Sequence, residues 1–278
     1  MRPARTIVLV VAIVVLAGCG EDAPVAQGPP DVPDHRGRFV TVCEPSHHAA
    51  DDPIVSPGEP GAAHLHEFFG NVAIDAHSTT EAVEDAETTC ATKADRAAYW
   101  VPALLDGDGE RVPPDGADVY YRAGRGAAPS DVEPYPHGLR MIAGDAGAEE
   151  AQPAEIVGWS CTDNPVRSAA VPDCAGELRL RITFQDCWDG RRLDSDDHRS
   201  HVTYSGADGC PTSHPVAVPQ LELVVRYPHT GGPEGLRLSS GGPTTAHADF
   251  WNLWEPDALA REVSSCIHRD VVCGDTRS

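Results

Sequence analysis

"ELRLRITF", residues 177–184, alternates apolar and polar side chains over eight positions. In extended backbone, successive side chains point to opposite faces, so Leu178, Leu180, Ile182 and Phe184 share one face while Arg179, Arg181 and Thr183 share the other. A helix would scatter that pattern around its axis. A strand with one face in a core accounts for it directly. Comparable short runs recur as "AAYWVPALL" (97–105), "DVYYRA" (118–123), "GLRMIAG" (138–144), "EIVGWSC" (155–161), "HVTYS" (201–205) and "QLELVVRYP" (220–228), separated by clusters of Gly, Pro and Asp. Many strands joined by turns predict a mainly β fold, a single β-sandwich or jelly-roll-like domain with a few short helices.

Two helices are expected. "STTEAVEDAETTC" (78–90) sets Ser78 three residues before Glu81, the spacing of a capping box. "PDALAREVSSCI" (256–267) has a proline suited to a first helical position, and Leu259, Val263 and Ile267 recur every four residues as one apolar stripe.

The N-terminus reads as an export signal. Arg2 and Arg5 precede an apolar run, "TIVLVVAIVVLA" (6–17), too short to span a bilayer comfortably. "LAGC" (16–19) then has the form of a bacterial lipobox. It implies cleavage before Cys19, a lipid on Cys19, and anchoring to the outer face of the cell membrane. Residues 1–18 are therefore a lipoprotein signal peptide, the polar, proline-rich stretch 19–36 a disordered tether, and 37–278 one exported domain. The formal charge is −22, and removing residues 1–18 with their two arginines leaves −24, which argues against a nucleic-acid partner.

Of nine cysteines, eight remain beside Cys19: Cys43, Cys90, Cys161, Cys174, Cys187, Cys210, Cys266 and Cys273. An even number in an exported chain predicts four disulfides. Eight cysteines allow 105 pairings; the simplest pairs neighbours, 43–90, 161–174, 187–210 and 266–273.

Chemistry concentrates around histidine. Imidazoles lie beside acids, hydroxyls or aromatics in "HLHEFFG" (64–70), "LDSDDHRSHVTY" (193–204), "CPTSHPV" (210–216) and "HADFWNLW" (247–254). On a strand, His64 and His66 project together, as do His247 and Asp249. Paired imidazoles with nearby carboxylates suit either a metal or acid–base work near neutral pH. The candidate catalytic set is His64, His66, His198, His201, His247 and Asp249. His64, His66 and His247 are the candidate ligands of a divalent metal ion. Trp188 and Trp251, with Asn252 and Asp197, are candidates for gripping a sugar ring. Other motifs fail: "HEFFG" lacks the second histidine of a zinc helix, and no nucleophile elbow or phosphate loop occurs. "DGDGE" (106–110) has Ala117 where a calcium loop needs glutamate, so it reads as a turn.

"DDPIVSPGEPGAAHLHEFFGN" (51–71), "YWVPALLDGDG" (99–109), "GLRMIAGD" (138–145), "CWDGRRLDSDDHRSHVTY" (187–204), "CPTSHPVAVPQLELVVRYP" (210–228) and "HADFWNLW" follow one another in this order. Together they resemble the secreted fungal and bacterial family known as domain of unknown function nineteen-ninety-six, from about Phe39 to Cys266. The resemblance implies no established activity. Some fungal members are joined to wall- or cellulose-binding modules, which implies a cell-wall or environmental polysaccharide as partner. Three functions are therefore expected in turn: a glycan hydrolase or lyase at the cell envelope, a non-catalytic glycan-binding module, and a metal-binding structural lipoprotein.

Overall fold

A computed structural model of the protein describes residues 36–274. The signal peptide, Cys19 and almost all of the tether lie outside the described residues. In chain order the first strands are β1 (Arg38–Cys43), β2 (Pro45–Ala49), β3 (His66–Gly70), β4 (Ala98–Pro102), β5 (Leu104–Leu105), β6 (Gly116–Arg122), β7 (Arg140–Gly144) and β8 (Val157–Cys161). They continue with β9 (Leu178–Thr183), β10 (Cys187–Trp188), β11 (Val202–Thr203), β12 (Val216–Ala217), β13 (Gln220–Tyr227), β14 (Arg237–Leu238), β15 (His247–Trp251) and β16 (Val272–Gly274).

The fold is mainly β, built on two large sheets. One has six strands in the order β16-β1-β6-β13-β9-β8, and the other five in the order β2-β3-β4-β15-β7. The alternation in "ELRLRITF" decides how they meet. Leu178, Leu180, Ile182 and Phe184 are all fully buried, and β9 is hydrogen-bonded on both sides, to β13 and β8. Val119 and Tyr121 of β6 and Leu221, Leu223 and Val225 of β13 lie in the same core, facing Phe69, Tyr99, Met141 and Phe250 of the five-stranded sheet. The polar link between the sheets is a hydrogen bond joining the Tyr99 and Tyr121 hydroxyls; Tyr99 also donates to the buried Asp95.

The five-stranded sheet is covered on its other face too. There Phe68, Trp100, Ile142 and Trp251 pack with Ile54, Ile74 and Val83 from the segment that lies between β2 and β4. This second, smaller apolar cluster makes the outer face of the sheet an interior, and the functional candidates sit at its edge.

The four disulfides join Cys43 to Cys90, Cys161 to Cys174, Cys187 to Cys210 and Cys266 to Cys273. Each closes a loop next to a strand end. "DGDGE" is a turn, with Asp106 Oδ1 accepting from the backbone N–H groups of Asp108 and Glu110.

The helices differ from expectation. The first, α1, is only Thr80–Val83, and Ser78 does not cap it: the Ser78 hydroxyl accepts instead from the Asp75 N–H in the preceding turn. Val83 is its one buried residue, so no apolar stripe holds a longer helix in place. The second, α2 (Pro256–Glu262), starts on the expected proline and continues through a wider turn to Ile267. Leu259, Val263 and Ile267 are buried in the shared core.

Candidate functional site

The outer face of the five-stranded sheet carries a line of polar side chains. His66 heads β3, on the same face as Phe68, while His247 and Asp249 share a face of β15 with Trp251. The strand between them, β4, opposes Pro102 to His66 and Trp100 to Asp249. His64 enters from the segment before β3. The three imidazoles meet over β4: ring centroids are 4.2 Å apart for His64 and His66, 5.0 Å for His64 and His247, and 6.0 Å for His66 and His247. One ring nitrogen of each lies within 4.8 Å of the others. On the far side of His66, carboxylate oxygens of Asp52 and Asp249 come within the same distance of its ring and of each other.

Hydrogen bonds fix which nitrogens face the cluster. His66 Nδ1 is 3.0 Å from the carbonyl of Asp51, and His247 Nδ1 is 2.8 Å from the carbonyl of Thr245. A carbonyl only accepts, so both Nδ1 atoms carry the proton and both Nε2 atoms keep a lone pair. This is the arrangement by which a backbone oxygen orients a metal-binding imidazole. The Nε2 atoms of His64 and His66 are buried with no partner, and so are both carboxylate oxygens of Asp249. Gly144 shapes the other edge: it pairs with His247 at φ +81°, and a Cβ there would lie 2.9 Å from the His247 Cα.

Burial sets the charges. It pushes His66 well below the usual imidazole range, helped by the neighbouring His64 and His247, and lowers His247 to about 4. His64, half-buried, is lowered by the same cause. The three rings are thus neutral and nucleophilic toward a cation at pH 7. Burial also raises Asp249 far above the usual carboxylate range, and the charge of Asp52 raises it further. Burial here favours the protonated form of Asp249, and a nearby positive charge would oppose that shift.

The other expected residues lie elsewhere or are already engaged. His201 is buried, with Nδ1 2.9 Å from Ser195 Oγ and Nε2 donating to the Arg140 carbonyl at 2.6 Å. Both of its nitrogens are used. His198 has a left-handed backbone, φ 56°, and its Nδ1 is 3.0 Å from both oxygens of Asp194. Asp197 accepts from Ser195 Oγ and from the N–H groups of Arg199 and Ser200, which holds its carboxyl below the usual range. These bonds lock 194–201 into a loop beside the cluster. Its Arg199 donates to the Gly144 carbonyl at 2.8 Å, next to His247.

The expected sugar-gripping surface does not form. Trp251 is 0% exposed and its ring is covered by the Arg140 guanidinium at 4.1 Å, so it offers no face to a ligand. Asn252 is buried and donates to the carbonyls of Tyr135 and Pro136. Trp188 is half-buried and donates to the Arg192 carbonyl at 2.6 Å. Glu67, between His66 and Phe68, points to the opposite face and pairs with Arg111 at 2.8 Å.

The profile described as Domain of unknown function (DUF1996) matches residues 52–254. The chain belongs to this family. No curated protein and no solved structure matches it. The DUF1996 match begins at Asp52 and ends just past β15, so it holds all three converging histidines and both carboxylates. It leaves out β1, β2, α2 and β16, although β1 is an inner strand of the six-stranded sheet of this DUF1996 fold and β2 an edge strand of the five-stranded one. Sequence reasoning missed Asp52 and Arg199. "DDP" (51–53) carried a signal, since adjacent acids before a proline mark a turn. Nothing local tied that turn to His66.

Proposed function

We propose that this DUF1996 protein is an extracytoplasmic metalloprotein whose centre is a divalent transition ion held by Nε2 of His64, His66 and His247, with Asp249 as the anionic donor. One observation carries the reading. Buried polar groups are nearly always paired, yet here the Nε2 atoms of His64 and His66 and both oxygens of Asp249 are buried without partners, the imidazoles converging with His247 and Asp249 lying close to His66. An ion between the three rings would satisfy both lone pairs, with Asp249 the nearest unpartnered carboxylate to His66. Imidazole with carboxylate suits zinc, iron, copper, nickel or manganese rather than calcium or magnesium.

With Asp249 as fourth donor a position would stay open only for an ion taking five or six ligands, and such an ion would supply Lewis-acid chemistry at an oxygen placed there. Turnover of an envelope glycan by hydrolysis or elimination is the reaction we assign to the centre, with Arg199 at its rim to orient an anionic group. The four disulfides fit an oxidising compartment. Among the described residues no helix is long and apolar enough to cross a membrane. The lipobox supports attachment through Cys19.

Elemental analysis of protein purified without chelator tests the centre. One transition ion per chain, absent from a His66→Ala variant, is expected. A wild-type protein that carries no such ion and binds neither zinc nor manganese in titration calorimetry ends the proposal.

A further inference from the structure

The chain carries 43 acidic residues against 21 lysines and arginines, yet the open face of the six-stranded sheet reverses that balance. The register across the sheet sets Arg38 beside Arg122 and Gln220, then Val40 beside Tyr120 and Glu222, then Asp118 beside Val224 and Arg181, then Arg226 beside Arg179. Arg167 reaches over the same face from the segment after β8, with Nη2 2.5 Å from Glu222. Within these rows six arginines therefore meet two acids.

Two features distinguish this face from a solvated ion-pair network. Glu222 is saturated, pairing with Arg167, Arg181 and Arg122, so the acids present cannot neutralise the rest. Arg38 Nε, Arg179 Nε and both Nε and Nη2 of Arg226 are buried without any hydrogen-bond partner, and the nearest Asp118 oxygen is 3.7 Å from Arg226 Nε. Asp118 pairs with Arg226, which leaves Arg38 and Arg179 as guanidinium groups with no acid among the described residues to neutralise them, suited to a carboxylate from outside.

We infer that this face binds an extended polyanion, and that the ligand is a polysaccharide bearing carboxylates. The cationic rows at Arg122 and at Arg226 stand roughly 20 Å apart along the strands, a span for a chain and not for a single small anion. Half-buried Tyr120 lies between them and gives a sugar ring an aromatic surface amid the charges. A membrane is a poorer fit, because the apolar residues of the face, Val40, Val42 and Val224, are buried at 5%, 5% and 3% exposure and have nothing to insert. A duplex nucleic acid, with one charge per about 1.7 Å of its length, would meet more of the repulsion of the strongly acidic remainder than a polysaccharide with one carboxylate per sugar.

The test is binding of the whole protein to polygalacturonate at low salt with chelator present, which keeps the histidine centre empty and makes the result independent of the metal proposal. Wild type is expected to bind polygalacturonate and not neutral dextran, with affinity falling as salt rises. The double variant Arg38→Ala/Arg179→Ala should bind about tenfold more weakly with an unchanged melting temperature, since neither side chain has a partner in the fold. Arg38→Lys/Arg179→Lys should retain most of the affinity. Absence of binding by wild type, equal binding to dextran, or undiminished binding by the alanine variant overturns the assignment. So does tighter binding to phosphatidylglycerol vesicles or to a DNA duplex than to polygalacturonate.

Discussion

Asp249→Asn has opposite consequences for the ion-free and ion-loaded protein, which makes it a sharp test of the metal centre. In the ion-free protein Asp249 is 1% exposed and neither oxygen has a partner. A buried unsatisfied polar group costs about 1–3 kcal/mol. Asparagine keeps the shape and removes the ionisable group. The ion-free variant should therefore be more stable than wild type by roughly 1 kcal/mol, or about 2–4 °C in Tm for a chain of this size. The ion-loaded protein responds the other way. At free zinc a hundredfold above Kd, binding stabilises wild type by about 2.7 kcal/mol, roughly 5–11 °C. If loss of the anionic donor weakens binding about tenfold, the same zinc stabilises the variant by only about 1.4 kcal/mol. Thermal melts followed by circular dichroism, in chelator and in excess zinc, read both effects. A variant equally destabilised under both conditions, or a wild type whose Tm ignores zinc, would refute the reasoning.

Three further outcomes are expected. His201→Ala should lower stability by about 1–3 kcal/mol, because the Arg140 carbonyl loses its partner, while zinc stoichiometry in calorimetry stays at the wild-type value. Asp95 is fully buried and its carboxyl is pushed up to about 8 by burial. The native state thus holds a proton that the unfolded state releases near pH 4, so stability should fall as pH rises from about 4 to about 8, and urea melts of Asp95→Asn should show a flatter profile. Replacing Cys43 and Cys90 by alanine opens a loop of sequence separation 47 and should cost about 4 kcal/mol in the chain-entropy model, against about 2 kcal/mol for the Cys266–Cys273 pair with separation 7; denaturant melts of the two variants check the order.

Much of the fold was legible because its strands alternate. Leu178, Leu180 and Ile182 fall inward and Arg179 and Arg181 outward as the period of two requires. The helix expected over 78–90 shrinks to Thr80–Val83, since a capping spacing says nothing about whether apolar residues follow to hold the helix down. At the site, the i, i+2 spacing of His247 and Asp249 was enough to place them on one face. The convergence of His66 with His247 was not legible, because it depends on β4 lying between β3 and β15, a pairing of segments nearly two hundred positions apart. The stretch around His198 and His201 looked equally promising. What separates it from the cluster is the consumption of its ring nitrogens by Asp194, Ser195 and a backbone carbonyl, which no local pattern announces.

The way the donors are mounted bears on what an ion would be for. In small zinc domains the ligands have no fixed arrangement until metal arrives, so binding is folding. Here His66, His247 and Asp249 stand on strands that are hydrogen-bonded to neighbours, and Asp51 and Thr245 carbonyls already hold two of the rings in orientation. The burden of closing the chain falls on four disulfides and a core shared by two sheets. An ion is not needed to make such a fold, and chelation should leave the far-ultraviolet circular dichroism of the protein unchanged at 25 °C while it lowers Tm. His64 is half-buried and stands on a connecting segment, so under the proposed reading it would be the least constrained of the three donors. On the proposed metal reading, two imidazoles fixed on strands, a buried carboxylate and one histidine on a connecting segment would suit a centre that exchanges a ligand more than one that holds the fold together.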